Sequence, residues 1–254
     1  MSFDADINAC AAIVEKGDPE RFAAAMASPV AARAVLFPLY AFNVEVTRAP
    51  WVTQEAMIAE MRLQWWRDAL EEIGKGGPVR RHEVVTPLSQ ILDPESAAVL
   101  DRLVAARRWD IYKDAFEDEA HLDSYLRDTA AGLMWVAART LDSQAGAQDM
   151  IYDLGYATGL ARFLQAVPAL EDAGRVPLVD GRPAAVAGRA RDALSHCSRK
   201  ALRRAMPGAA RAAITEAYAT KDILHQVVRD PGAVATGALG VSPVRRSFRL
   251  WQWS

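Results

Sequence analysis

The stretch "WDIYKDAFEDEAHLD", residues 109–123, carries Asp110 and Asp114 four residues apart, which puts both carboxylates on one face of a helix. Oxygen ligands at that spacing suit Mg²⁺, a hard cation that keeps several of its waters. Asp118 and Glu119 add negative charge nearby. The same acids also suit the solvated end of one helix and the acidic start of the next, the commoner arrangement. Elsewhere the sequence has no glycine-rich phosphate loop, no HExxH and no paired CxxC. His82, His121, His196 and His225 are scattered, none beside a cysteine or a second histidine, and read as ordinary surface or core residues.

Two basic stretches follow. "AAVAGRARDALSHCSRKALRRA" sets Arg189, Arg191, Arg199, Lys200, Arg203 and Arg204 beside an apolar stripe of Val186, Ala190, Leu194, Cys197 and Ala201. A solvated basic face is the ordinary outcome, and a patch for anionic lipid or an acidic partner is the alternative. The segment "RRSFRLWQWS" is both aromatic and basic; packing on the fold and contact with a partner or membrane surface both remain open.

The elements that must position these groups read as helices throughout. Asp18-Pro19, Ser28-Pro29, Thr86-Pro87 and Asp93-Pro94 each pair an N-cap residue with proline at the first helical position, where a missing N–H costs nothing. Thr53 starts another helix, with Glu55 in its first turn. In that helix Ile58, Met61, Trp65, Ala69 and Ile73 form one apolar stripe, and Leu63, Trp66 and Leu70 form a second beside it. Two stripes predict a helix deep in a bundle, ended by "GKGGP" at Gly74–Pro78. Further helical periods bring the expectation to about eight helices, with one long irregular link near residues 168–183. No alternating β-branched run with hairpin chemistry occurs. The expected class is all-α, in a single domain over residues 1–254.

Composition bounds the rest. The chain has 254 residues, 51% of them hydrophobic, and a formal net charge of -2, which gives no reason to expect nucleic acid as a partner. Cys10 and Cys197 fit unpaired thiols in a reducing compartment. The start "MSFDADINACAAIVEK" has acids where a signal peptide has a basic region and an apolar run. No uninterrupted apolar run reaches the roughly 18–20 residues of a membrane span. A soluble cytoplasmic protein is expected, with peripheral contact at the inner membrane as an option.

The blocks "LYAFNVEVTRAP", "MRLQWWRDALEEI", "LDSYLRDTAAGLM" and "GYATGLARFLQAVPALEDAGRVPL" stand in an order and spacing that resembles the squalene/phytoene synthase family, most clearly over residues 18–180. That resemblance implies an isoprenoid-synthase fold, a helical bundle around a central cavity. In active members two aspartate-rich helices face each other and hold Mg²⁺, which binds the diphosphates of two prenyl substrates for head-to-head condensation. A diphosphate leaving group needs concentrated positive charge, and a carboxylate-anchored divalent metal supplies it.

Both motifs are altered in this chain. The first-motif acid positions fall on Thr47, Arg48 and Trp51, and the second-motif positions on Ala166 and Leu170. None of these can form a hard-cation site. Glu45 lies two residues from the acid positions and so faces elsewhere. Glu171 and Asp172 follow Pro168, where the helix is expected to end, and a register shift is what would bring them back. "AFNVEV" with "MRLQWWRDALEEI" looks like the branch that includes the mitochondrial complex I assembly factor of squalene/phytoene synthase type and its bacterial relatives. The resemblance to that branch implies a fold kept without its aspartate motifs, no cofactor, no catalytic residue, and a complex I subunit or assembly intermediate as partner. Candidate polar or anion contacts left in the cavity are Asn43, Glu45, Arg48, Glu171, Asp172 and Arg175, although Arg48 can equally pair with Glu45 on its own helix. The alternatives are an active Mg²⁺-dependent prenyltransferase making squalene- or phytoene-like products, and a carrier of an isoprenoid or quinone lipid. A carrier needs the cavity open and apolar, not refilled by side chains such as Trp51 and Trp65.

Overall fold

The computed structural model describes residues 5–53 and 55–253; Met1–Asp4, within the stretch read as lacking a signal peptide, and Gln54 and Ser254 lie outside it. The described residues form α1 (Ala5–Gly17), α2 (Pro19–Ala27), α3 (Val30–Arg48), α4 (Ala56–Lys75), α5 (Val85–Ser89), α6 (Pro94–Ala106) and α7 (Glu119–Leu126). They continue as α8 (Gly132–Leu141), α9 (Gln148–Asp172), α10 (Pro183–Ser195), α11 (Arg199–Ala205), α12 (Thr220–Arg229), α13 (Gly232–Ala235) and α14 (Pro243–Trp253). Tighter 3₁₀ turns cover Arg107–Asp110 and Ala210–Ala217, a wider π turn covers Arg127–Ala131, and no strand occurs among the described residues. The class is all-α, as expected.

Fourteen α-helical segments, against about eight expected, arise because several periodic stretches break. The basic stretch divides at His196–Ser198, and Ser198 then caps α11 by accepting from the Ala201 amide. Asp18 and Asp93 cap as their sequence predicts, accepting from the amides of Arg21 (2.9 Å) and Ser96 (2.7 Å). Ser28 and Thr86 do not. Ser28 Oγ donates back to the Ala24 carbonyl, and Thr86 lies within α5, where its Oγ1 accepts from the His82 amide. Thr53 accepts from the Glu55 amide in a turn just ahead of α4.

Helix α4 is less buried than its two stripes predict. Ala59, Leu63, Trp66, Ala69, Leu70 and Ile73 form one buried face against α6, while Met61 is 67% exposed. The first half of the Ile58–Met61–Trp65 stripe therefore lies at the surface. Gly76, with φ +67°, ends the helix in the left-handed conformation that glycine alone adopts without strain. The core is carried instead by α3, α6, α8 and α9, through side chains such as Leu36, Tyr40, Leu103 and Met134. By length and composition α3 could cross a membrane, but 61% of its apolar window is buried inside the fold.

Helix α9 packs closely on the chain that precedes α8. A Cβ on Gly155 would lie 2.5 Å from Ala131 Cα, and one on Gly159 would lie 2.5 Å from Ala130 Cβ. These glycines let α9 lie directly on the π turn Arg127–Ala131. The helix also runs through Pro168 to Asp172, past the end that proline predicts. The lost amide bond is tolerated because Val167 and Leu170 are buried on the same turn. Gly155→Ala should therefore destabilise the protein by about 1–3 kcal/mol through overpacking against backbone. Gly188→Ala, on α10 with no atom near its Cβ position, should instead stabilise by up to about 1 kcal/mol through helix propensity. Urea unfolding of both variants separates crowding from propensity.

Candidate functional site

A cavity of about 270 Å³ lies between the end of α3, the face of α9, the α7 region and the turn Arg107–Asp110. Helix α9 contributes Gly159, Arg162, Phe163, Ala166 and Leu170, which recur at spacings of three and four and so share one face. Thr47 and Trp51 enter from the end of α3 and the residues after it. The expected former ligand positions Thr47, Trp51, Ala166 and Leu170 thus meet in one cavity.

The other predicted residues divide. Arg48 is exposed, contacts Glu45 at 3.6 Å and does not line the cavity. Glu45 lines a separate groove with Trp65 and His82. Asn43 is buried, with Oδ1 lacking a hydrogen-bond partner. Glu171 and Asp172 are exposed at the end of α9 and do not line the cavity, because the helix continues through Pro168 and keeps its register. Arg175 is buried, but as a clamp: its guanidinium donates to the carbonyls of Trp109, Asp110 and Tyr112. It also lies between the rings of Trp51 and Trp109, at 5.1 and 5.0 Å.

Asp110 and Asp114 do not share a helical face. The chain tightens into a 3₁₀ turn at Arg107–Asp110 and then leaves helix, which exposes Asp114. Asp110 is buried and accepts from Tyr125 Oη (3.0 Å) and Arg107 Nη1 (3.1 Å), while Arg107 Nη1 also donates to Tyr125 Oη (2.7 Å). Burial pushes the Tyr125 phenol far above its ordinary range. Asp118 caps α7, and Glu119 pairs with Arg189.

Sequence reasoning missed a second set of charges. Arg21 Nε donates to Glu216 Oε2 at 2.5 Å, and Arg21 Nη1 donates to Asp18 at 2.8 Å. Arg162 joins them from α9, with Nη1 3.2 Å from Asp18 and Nη2 3.6 Å from Glu216. Glu216 is 3% exposed, so this cluster is truly internal. Burial alone would push the Asp18 carboxyl up, but Arg162 and Arg21 outweigh it and hold it at about 2. Arg21, Arg107 and Arg162 all line the cavity. Only Arg162 carried a local signal: it stands four residues before Ala166, on the same helical face.

Four buried polar atoms of lining residues lack a hydrogen-bond partner: Thr47 Oγ1, Arg107 Nε, Trp109 Nε1 and Arg162 Nη2. They offer mostly donors, whereas a divalent cation needs oxygen acceptors. Asp110 is the lining carboxylate, and both its oxygens are taken by Arg107 and Tyr125. Among the described residues no group of three or more His, Cys, Asp or Glu could hold a metal ion. The residues present do not fit Mg²⁺. Cys10 and Cys197 are buried free thiols, pushed up to about 12 and about 11 mainly by burial.

An all-helical bundle closed around such a cavity is the isoprenoid-synthase architecture. The squalene/phytoene synthase family model matches residues 14–251, and the chain belongs to that family. A solved dehydrosqualene synthase has TM-score 0.78 at 16% identity, over 98% of this chain and 95% of its own. Squalene synthase HpnC from Alicyclobacillus acidocaldarius has TM-score 0.72, also at 16% identity, over 93% and 95%. Among curated proteins, the Drosophila melanogaster homolog of NADH dehydrogenase (ubiquinone) complex I assembly factor 6 is 30% identical over 171 residues, 63% of this chain and 50% of that protein. The Homo sapiens assembly factor 6 is 25% identical over 166 residues, 63% and 48%. The chain thus spans about half the length of the curated relatives it matches.

The Asp18 carboxyl gives a pH signature. Because its folded value lies below the ordinary 3.8, its stabilisation is complete above about pH 4 and is lost as pH falls through about 2. Asp18→Asn keeps an N-cap acceptor but removes the charge. It should cost about 2 kcal/mol at neutral pH, and the difference from the unsubstituted protein should shrink as pH falls from about 4 towards 2. Unfolding curves across that range test it; a pH-independent difference would assign the loss to packing.

Proposed function

We propose that this protein does not catalyse prenyl condensation and instead assists assembly of the respiratory NADH:ubiquinone oxidoreductase, acting on a complex I subunit or assembly intermediate. One observation carries the reading: of the positions where the family resemblance places metal ligands, Thr47, Trp51, Ala166 and Leu170 line the cavity without a carboxylate among them, and Arg48 lies outside it. Trp51 has a structural use there, stacked on the Arg175 guanidinium. The relatives whose names specify complex I assembly support the biological half of the proposal.

The test is NADH:ubiquinone oxidoreductase activity in membranes from a strain lacking this gene. Activity should fall and be restored by the intact gene, while the purified protein releases no pyrophosphate from prenyl diphosphates with Mg²⁺. Unchanged membrane activity would overturn the assembly role, and Mg²⁺-dependent turnover would overturn the non-catalytic one.

A second reading, a metal-free carrier of an isoprenoid or quinone lipid, draws on Arg107 Nε and Trp109 Nε1, buried donors of cavity-lining residues without a hydrogen-bond partner. An acidic or carbonyl head group matches those donors. A ligand bound by the native state raises the melting temperature as its concentration exceeds its Kd, so a short-chain ubiquinone and a prenyl phosphate without Mg²⁺ are the probes. No shift with either ends this reading.

A further inference from the structure

Helix α14 packs partly buried arginines as well as apolar residues inward and leaves a second set of apolar side chains at the surface. Its inward side carries Arg246, Arg249, Leu250 and Trp253, at spacings of three and four. Arg249 donates to both oxygens of buried Asp222, and Arg246 reaches Glu20 at 3.4 Å. Its outward side carries Val244, Phe248 and Trp251, spaced four and three, at 83%, 51% and 73% exposure. Phe248 and Trp251 stand together, ring centroids 6.0 Å apart.

A second cationic helix meets α14 at one end. Helices α11 and α14 together contain seven Arg or Lys and no acid. They meet at Trp253, whose carbonyl accepts from Arg203 and whose ring lies under Arg199 at 5.4 Å. Lys200 and Arg204 each follow one of these contacts by one residue and are turned about 100° from it. Both are exposed and form no ion pair among the described residues.

We propose that α14, with Lys200 and Arg204 of α11, is a docking surface for an anionic lipid bilayer. The chemistry is complementary on both counts. Tryptophan and phenylalanine enter the boundary between head groups and acyl chains, and flanking guanidinium and ammonium groups meet lipid phosphates. Arg245, Arg246 and Arg249 interrupt the apolar residues of this helix, so it suits lying along a bilayer surface and the proposed contact is peripheral. This inference is independent of the cavity and of the assembly role.

The experiment is cosedimentation of the full chain with vesicles of phosphatidylcholine alone and of equimolar phosphatidylcholine and phosphatidylglycerol. Binding should favour the anionic vesicles by about tenfold or more and weaken with added salt. Phe248→Ser/Trp251→Ser should reduce that binding about tenfold or more, and Lys200→Glu/Arg204→Glu should abolish the preference for anionic vesicles. All four positions are exposed, so unfolding curves should be nearly unchanged and folding failure can be separated from lost docking. Absence of binding by the folded chain, equal binding to both vesicle types, or full binding by either variant overturns the proposal. The first of these outcomes would give the face to a protein partner.

Discussion

The ion pair between Arg21 and Glu216, two residues 195 positions apart, fixes the floor of the cavity. Both side chains are almost fully buried, and a charge taken out of water is costly unless its partner is close and well aligned. Asp18 and Arg162 complete the arrangement, so the start of α2, the middle of α9 and the turn Ala210–Ala217 have to meet at one point. Removing one member leaves an uncompensated buried charge, which costs far more than the pair itself contributes. The cluster therefore constrains the fold more strongly than any local helix propensity. It also sets the chemistry of the cavity, whose positive charge rests on guanidinium groups held by the chain.

The same logic extends to the rim. Arg175 uses its donors on three backbone carbonyls and its flat faces on Trp51 and Trp109. Trp109 stacks on Phe116 with ring centroids 4.1 Å apart, and Phe116 meets Tyr125 and Phe163 edge-on. An aromatic wall thus runs from a former ligand position to the heart of α9. A carboxylate at residue 51 would lose the stack and stand beside a guanidinium already committed to the backbone. Trp51 keeps 47% exposure at this rim and Leu170 is buried, and an acid at any single position would not supply the several oxygen ligands that a hard cation needs.

Much of the fold was legible because it rests on local rules. Asp18 and Asp93 announce helix starts, Gly76 a helix end, and the four sequence blocks the family architecture. The failures have physical causes. Pro168 argues for a helix end, yet tertiary burial of Val167 and Leu170 carries α9 through it. Asp110 and Asp114 have helical spacing, yet Tyr125 and Arg107 draw Asp110 inward and the chain turns tightly. Thr47, Ala166 and Leu170 could be brought to one cavity because they follow helical register, whereas Arg48 turns outward to Glu45, and Arg21 with Glu216 could not be placed. No periodic pattern relates two residues so far apart, and an isolated arginine or glutamate in a charged sequence carries no sign that it will be buried.

The cavity and α14 point to the same division of labour. Within the bundle, the arginines are neutralised by the chain's own carboxylates, which leaves little uncompensated positive charge to stabilise a departing diphosphate. On α14 arginines are tied down against Asp222 and Glu20 and Trp253 packs inward, while Phe248 and Trp251 are exposed. Burial of apolar surface would favour covering those two rings as well. A helix anchored by Trp253 and by partly buried ion pairs keeps the second apolar face at the surface instead of rolling it onto the core. A family scaffold can act through its exterior as well as through its cavity, since fold and activity are separable and function sits in particular sites.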